Sequence, residues 1–201
     1  GQSYNIEHRI VRPDGTERIV LELAEVIRDD TGRAIKMHGT VQDITERRAA
    51  EEGLRLADQV FENSIEGIII TDAAANILRV NRAFSVITGY SDEDVIGNNP
   101  RLLLSGRHDA AFYQRMWASL NECGYWQGEI WNRRKSGEIY PEWLSIMSIR
   151  NEQGKTIHYL GVFADLSEKK QAEENLHYVV NYDPLTELPN RHLLEDRLFQ
   201  A

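Results

Sequence analysis

Asn132 and Glu142 are the side chains of this sequence whose setting most suggests binding chemistry. Both fall in segments of alternating polarity, where successive side chains point to opposite faces of a strand. Alternate positions place Asn132 with Trp126, Gly128 and Ile130, and Glu142 with Tyr140, Leu144 and Ile146. An amide and a carboxylate among apolar neighbours need hydrogen-bond partners, either from the protein or from a ligand. His108, in Arg107-His108-Asp109, is an imidazole at the start of a helical stretch, a position that more often caps or faces water than ligates. Cys123 is the single cysteine; it excludes an internal disulfide framework, fits a reducing compartment and reads as a packing residue. His38 and His158 lie on strands without the cysteine or carboxylate cluster of a metal site and are assigned no metal.

These residues are carried by elements that the sequence writes twice. Lys36-Met37-His38-Gly39 through Asp43-Ile44-Thr45-Glu46 recurs as His158-Tyr159-Leu160-Gly161 through Asp165-Leu166-Ser167-Glu168. Gly15 and Gly137, Glu7 and Glu129, and Leu54 and Leu176 keep the same spacing of 122 residues. That period is the size of a small domain, too long for a solenoid repeat. Residues 4–11, 19–27 and 34–44 read as three antiparallel strands joined at Pro13-Asp14-Gly15 and Asp29-Asp30-Thr31-Gly32. Asp43-Ile44-Thr45-Glu46 has capping-box spacing and opens a helix to about residue 63. That helix is read two ways, as a linker packing on its own domain or as a dimer-forming signalling helix with a seam through Leu54 and Phe61.

The second copy is complete. Strands are predicted at 67–71 and 77–80, short helices between 81 and 104, a longer helix over 109–120, and strands at 126–134, 139–149 and 156–166. The fold class is α+β, a five-stranded antiparallel sheet with its helices inserted after the second strand. The other face of the second long strand carries Ile139, Trp143, Met147 and Ile149, so a flanking helix or a partner subunit is expected to cover it. A net charge of −9 argues against a nucleic-acid surface, and Arg133-Arg134-Lys135 reads as a solvated cluster. No apolar run reaches membrane-spanning length, which points to a cytoplasmic fragment whose parent is free to be anchored upstream.

Ile70-Thr71-Asp72, Val80-Asn81-Arg82-Ala83-Phe84, Thr88-Gly89-Tyr90, Ile96-Gly97-Asn98 and the closing Asp165-Leu166-Ser167-Glu168 together resemble a PAS domain with its C-terminal motif. The resemblance implies a PAS fold over 64–168, the second half of another PAS domain over 1–45, a linker helix over 46–63 and a signalling helix over 169–181. In flavin-binding PAS domains an Asn at the position of Asn132 meets the flavin edge, beside a Trp comparable to Trp126. Trp126, Asn132 and Glu142 are thus the FAD candidates. The reading adopted against it is a pocket filled by side chains, with no cofactor and Asn132 bonded to backbone. Haem, held by His108, is a further alternative. Pro100 stands where photosensing relatives carry their reactive cysteine, and Phe163 where they carry a glutamine, which argues against light sensing.

Tyr182-Asp183-Pro184-Leu185-Thr186-Glu187-Leu188-Pro189-Asn190-Arg191 resembles the first turn of GGDEF domains, which make cyclic di-GMP. Asp183 is placed to cap a helix with Pro184 at its first position, and Arg191 is its expected partner. Residues 182–201 would then be the start of a GGDEF domain, and no catalytic signature is present in the sequence. The expected function is a sensory and dimerisation region acting on a C-terminal diguanylate cyclase, with a cyclase fused to a phosphodiesterase as the alternative. Its expected partners are a second copy and that GGDEF domain. Trp143, Met147, Ile149, Asp165, Leu176, Asp183 and Arg191 are the expected signalling and interface residues. A redox-sensing flavin module and a ligand-free dimerisation scaffold are the competing readings.

Overall fold

A computed structural model describes residues 3–181 together with 188 and 190. The motif around Asp183 and Arg191 lies outside the described residues. The chain forms two compact units, residues 1–60 and 61–201.

The first unit is a three-stranded antiparallel meander of β1 (Ser3–Val11), β2 (Glu17–Arg28) and β3 (Ala34–Asp43). Asp14 closes the first turn by accepting from the backbone and hydroxyl of Thr16, and Gly15 takes the left-handed conformation the turn requires. Helix α1 (Thr45–Glu62) follows, and none of its residues is buried. Within the first unit this helix is held at its first turn, where the Thr45 hydroxyl accepts the Ile19 N–H and Arg48 pairs with Glu7.

The second unit is built from β4 (Gly67–Asp72), β5 (Ile77–Val80), α2 (Arg82–Thr88), α3 (Asp92–Val95), α4 (Ala110–Cys123), β6 (Tyr125–Arg133), β7 (Ile139–Arg150), β8 (Thr156–Asp165) and α5 (Ser167–Asn181). A 3-10 turn at Pro100–Leu103 precedes α4. The sheet order is β5-β4-β8-β7-β6, fully antiparallel, with the helices between β5 and β6. This is the arrangement expected from sequence. The internal repeat is kept to the residue, since β6, β7 and β8 begin and end 122 positions after β1, β2 and β3. Their pairing is also the same, with Glu7 opposite Leu21 and Glu129 opposite Trp143.

The core of this unit gathers Ile69, Ile77, Val80, Phe84, Val95, Leu103 and Phe163. Phe84 and Phe163 meet edge to face with centroids 5.9 Å apart. Gly67 is required here because a Cβ at that position would stand 2.3 Å from the Phe163 ring. On the outer face Trp143, Met147 and Ile149 are 45%, 43% and 41% exposed. The expected cover is thus not supplied within this unit, because β7 turns these alternate residues away from the helices that cover its other side. Cys123 likewise is exposed rather than packed, since α4 runs one turn beyond its predicted end and carries the thiol to its last position. No helix among the described residues is long and apolar enough to cross a membrane.

Candidate functional site

The inner face of the sheet and the helices above it enclose a chamber of about 800 Å³. Ile69 and Thr71 reach it from β4, Ile130 and Asn132 from β6, Glu142, Leu144 and Ile146 from β7, and Tyr159, Gly161 and Phe163 from β8. Each set has the period of two that a strand imposes. From α4 come Ala110, Tyr113, Gln114, Trp117 and Asn121, one helical face by spacing. The size falls within the range of small-molecule sites.

Asn132 and Glu142, ten residues apart, meet inside this wall. Asn132 Nδ2 donates to Glu142 Oε1 at 2.8 Å, and the Tyr140 hydroxyl donates to Glu142 Oε2 at 2.6 Å. Asn132 is therefore bonded to a carboxylate, not to the backbone expected for a filled pocket. Glu142 is only 1% exposed. Burial pushes its carboxyl up to about 7, with the Tyr140 and Asn132 bonds pulling the other way. Burial and the neighbouring Glu142 raise the Tyr140 phenol well above its ordinary value, so it remains a donor.

The other candidates are placed differently. Trp126 does not form part of the chamber wall; its ring lies over Gly128 and meets Phe112 edge-on at 5.8 Å. His108 also lies outside the wall. Its Nε2 accepts from the Trp131 backbone N–H at 2.9 Å and its ring stacks on Phe112 at 4.1 Å. Haem ligation through that nitrogen would have to break the bond to Trp131. The sequence reading missed Tyr113, whose hydroxyl is buried and has no partner among the described residues. The i, i+3, i+4 pattern through Ala110, Tyr113 and Gln114 was the signal that would have found it.

Arg134 corrects the expectation of a solvated cluster. Its side chain is 17% exposed, because three separate elements use it. The guanidinium stands 4.0 Å over the Tyr140 ring, donates to the Ile87 carbonyl, and donates to Asp165 Oδ2 at 2.6 Å. Asp165 Oδ1 in turn accepts the Ser167 N–H at the start of α5. Burial raises the Asp165 carboxyl, but the bonds from Ser167 and Arg134 outweigh it and hold the group below its ordinary value. A second tie joins Lys170 of α5 to Glu129 at 2.5 Å, and Lys170 also faces the Trp131 ring. An unbroken series of contacts thus leads from Asn132 through Glu142, Tyr140, Arg134 and Asp165 to α5.

The first unit repeats both ties. Arg12 pairs with Asp43 at 3.4 Å, Asp43 Oδ1 accepts the Thr45 N–H at 3.0 Å, and Arg48 pairs with Glu7. In each module the Asp thus receives the N–H two residues on, in place of the reciprocal box that the spacing suggested. These ion pairs fall 122 residues apart, like the strands that carry them.

Residues 65–168 match the PAS domain family, and residues 1–41 match the PAS fold family. The chain belongs to the PAS domain family. The nitrogen fixation regulatory protein of Klebsiella oxytoca is 37% identical over 117 residues, covering 58% of this chain and 24% of that protein. The cyclic di-GMP phosphodiesterase PdeR of Escherichia coli is 30% identical over 161 residues, covering 77% of this chain and 23% of that protein. The chain thus spans about a quarter of each of these relatives. A PAS domain from Colwellia psychrerythraea superposes with a TM-score of 0.54 at 23% identity, covering 57% of this chain and 98% of that one.

The contacts of Arg134 make a first prediction for this PAS module. Arg134→Gln removes the charge facing Asp165 and frees the first turn of α5. Amide exchange at residues 167–171 is expected to quicken about tenfold, equivalent to the roughly 1–2 kcal/mol that a partly buried charged bond contributes. Unchanged protection there would show that Arg134 does not hold the helix.

Proposed function

We propose that this chain is the sensory and pairing region of a signalling protein. The state of its chamber sets the position of α5, and α5 acts on a C-terminal cyclic di-GMP-metabolising domain of the GGDEF class. The observation that carries the reading is the Arg134–Asp165 tie, which joins Tyr140, the residue bonded to Glu142 of the chamber wall, to the cap of the departing helix. Its recurrence as Arg12–Asp43 argues that a clamped helix is the working part of each module. The likeness to PdeR and the motif from Tyr182 to Arg191 support the choice of output domain. Exposed Leu54 and Val60 on α1, Leu176 and Val179 on α5, and Trp143, Met147 and Ile149 on the sheet support pairing with a second copy.

The test is a series of insertions of one to three residues between Lys170 and Leu176 in the full-length protein. Each added residue turns the helix by about 100°. Cyclic di-GMP turnover is expected to rise and fall with helical phase. Output that changes steadily with insert length, or not at all, rejects a rigid helix as the connection.

A second reading, a bound flavin, is favoured by the unpaired Tyr113 hydroxyl and by the volume of the chamber. Asn132 and Tyr113 would hold it, and the flavin would supply a redox centre. Trp126, outside the wall, would not take part. An absorption spectrum of freshly purified protein is expected to carry a flavin band on this reading. A haem Soret band, or neither band, rejects it.

A further inference from the structure

We propose that the chamber takes a largely apolar ligand bearing an N–H or O–H donor at Asn132, and that Glu142 is the positioning residue that sets this preference. The inference rests on the reading of the chamber as a ligand site. An asparagine amide has a donor end and an acceptor end, and a half-turn of the group exchanges them. An ionised carboxylate can only accept, so Glu142 holds the Nδ2 end of Asn132 toward itself at 2.8 Å. Asn132 Oδ1 then finds no donor among the described residues, while Asn132 forms part of the chamber wall. The wall therefore offers an acceptor that a ligand donor can meet. The Tyr113 hydroxyl, also unpaired, gives α4 a second polar contact. Ile69, Leu103, Met116, Ile130 and Phe163 make the surroundings apolar.

Protonation of Glu142 reverses the arrangement. A carboxylic acid can donate to Asn132 Oδ1 while its carbonyl oxygen still accepts from the Tyr140 hydroxyl. The amide then turns over and presents Nδ2 to the chamber, which now favours a ligand acceptor. The charged and titratable groups facing Glu142 are Tyr140 on its own strand, Arg134 beyond β6, and Asp165 at the end of β8; Tyr113 of α4, Tyr159 of β8 and Arg101 line the same chamber. Arg134 favours the carboxylate and Asp165 opposes it. With burial added, the balance point is about 7, so both forms are accessible near neutral pH.

Indole and benzofuran test the inference on the 201-residue chain, since they differ chiefly in placing N–H or O at one ring position. By NMR titration at about pH 8.5, indole is expected to bind about three- to tenfold more tightly, the difference one neutral hydrogen bond makes. At about pH 5.5, below the Glu142 transition, that preference is expected to disappear. Glu142→Gln, which turns the Asn132 amide as the protonated acid does, and Asn132→Leu are each expected to show no preference at either pH. Without ligand, the Glu142 carboxyl carbon and the Asn132 side-chain amide resonances are expected to move with one shared midpoint. An Asn132 amide that stays still while Glu142 titrates, an equal preference at both pH values, or binding of neither probe overturns the inference. These outcomes leave the coupling through α5 to be judged by the insertion series.

Discussion

Replacing Asn81 by leucine is expected to destabilise the second unit by about 4 kcal/mol, a large part of the roughly 5–15 kcal/mol that holds a domain of this size. Asn81 is 1% exposed and spends its whole side chain on backbone. Its Oδ1 accepts from Ile68 N at 2.8 Å and from Phe84 N at 3.0 Å. Its Nδ2 donates to the carbonyls of Phe61 at 3.1 Å and Glu66 at 2.9 Å. The second of those acceptances is the N-cap of α2, which alone contributes about 1 kcal/mol. Leucine has the same branched outline, is larger and offers none of these bonds, leaving two N–H and two C=O groups without their partner. Each such group costs about 1–3 kcal/mol before relaxation. Asn81→Asp keeps both acceptances but sets a carboxylate against the Phe61 and Glu66 carbonyls, so its loss should be intermediate. Trp117, Trp126, Trp131 and Trp143 all lie in the second unit, so tryptophan fluorescence in urea reports on it alone. An unchanged midpoint for Asn81→Leu would mean that the four bonds contribute little.

Asn81 also illustrates what the sequence makes legible and what it hides. Val80-Asn81-Arg82-Ala83-Phe84 announces a strand passing into a helix, and the strand and helix are there. The bonds to Phe61 and Glu66 are not written in that local pattern, because they depend on where the preceding turn returns in space. The same division runs through the site. Period-two spacing puts Asn132 and Glu142 on one face, and the two residues do meet. Parity equally put Trp126 on that face, yet Gly128 leaves room for its ring to lie along the sheet, outside the wall. Face is a property of the local chain; the direction a long side chain takes along that face depends on its neighbours.

Arg134 makes the point from the opposite side. Next to Arg133 and Lys135, ahead of a turn, it has the composition of a solvated cluster. Its three partners come from α2, β7 and the end of β8, which only the folded sheet brings within reach. The repeat held the missing clue. Arg12 stands 122 residues before Arg134, just as Asp43 stands before Asp165. Two basic residues and two acidic residues kept in step across both modules outline a pair of ties that neither copy discloses alone. The Trp143, Met147 and Ile149 face was read as apolar, with a flanking helix or a partner subunit as its cover; within the second unit the three side chains are exposed.

Glu142→Gln is expected to stabilise the second unit by about 3 kcal/mol at pH 8 and to change little at pH 4. The direction follows from the folded-state carboxyl standing at about 7, above the ordinary 4.5. Between those values the folded protein keeps a proton that the unfolded chain has released. Stability is therefore greatest below the unfolded value, falls as pH rises through the interval, and stays reduced above about 7. Glutamine does not titrate and can still serve the site. Its Oε1 accepts from the Tyr140 hydroxyl, and its Nε2 donates to an Asn132 amide turned to present Oδ1. The difference between wild type and variant reports Glu142 and its coupling to Asp165, since carboxylates that do not face it titrate alike in both proteins. Urea midpoints measured across that range should converge at the acid end and separate progressively toward the alkaline end. Curves that run parallel at every pH would place the Glu142 proton in solvent-like surroundings. The buried pair with Asn132 would then lose its electrostatic meaning, whatever its geometry.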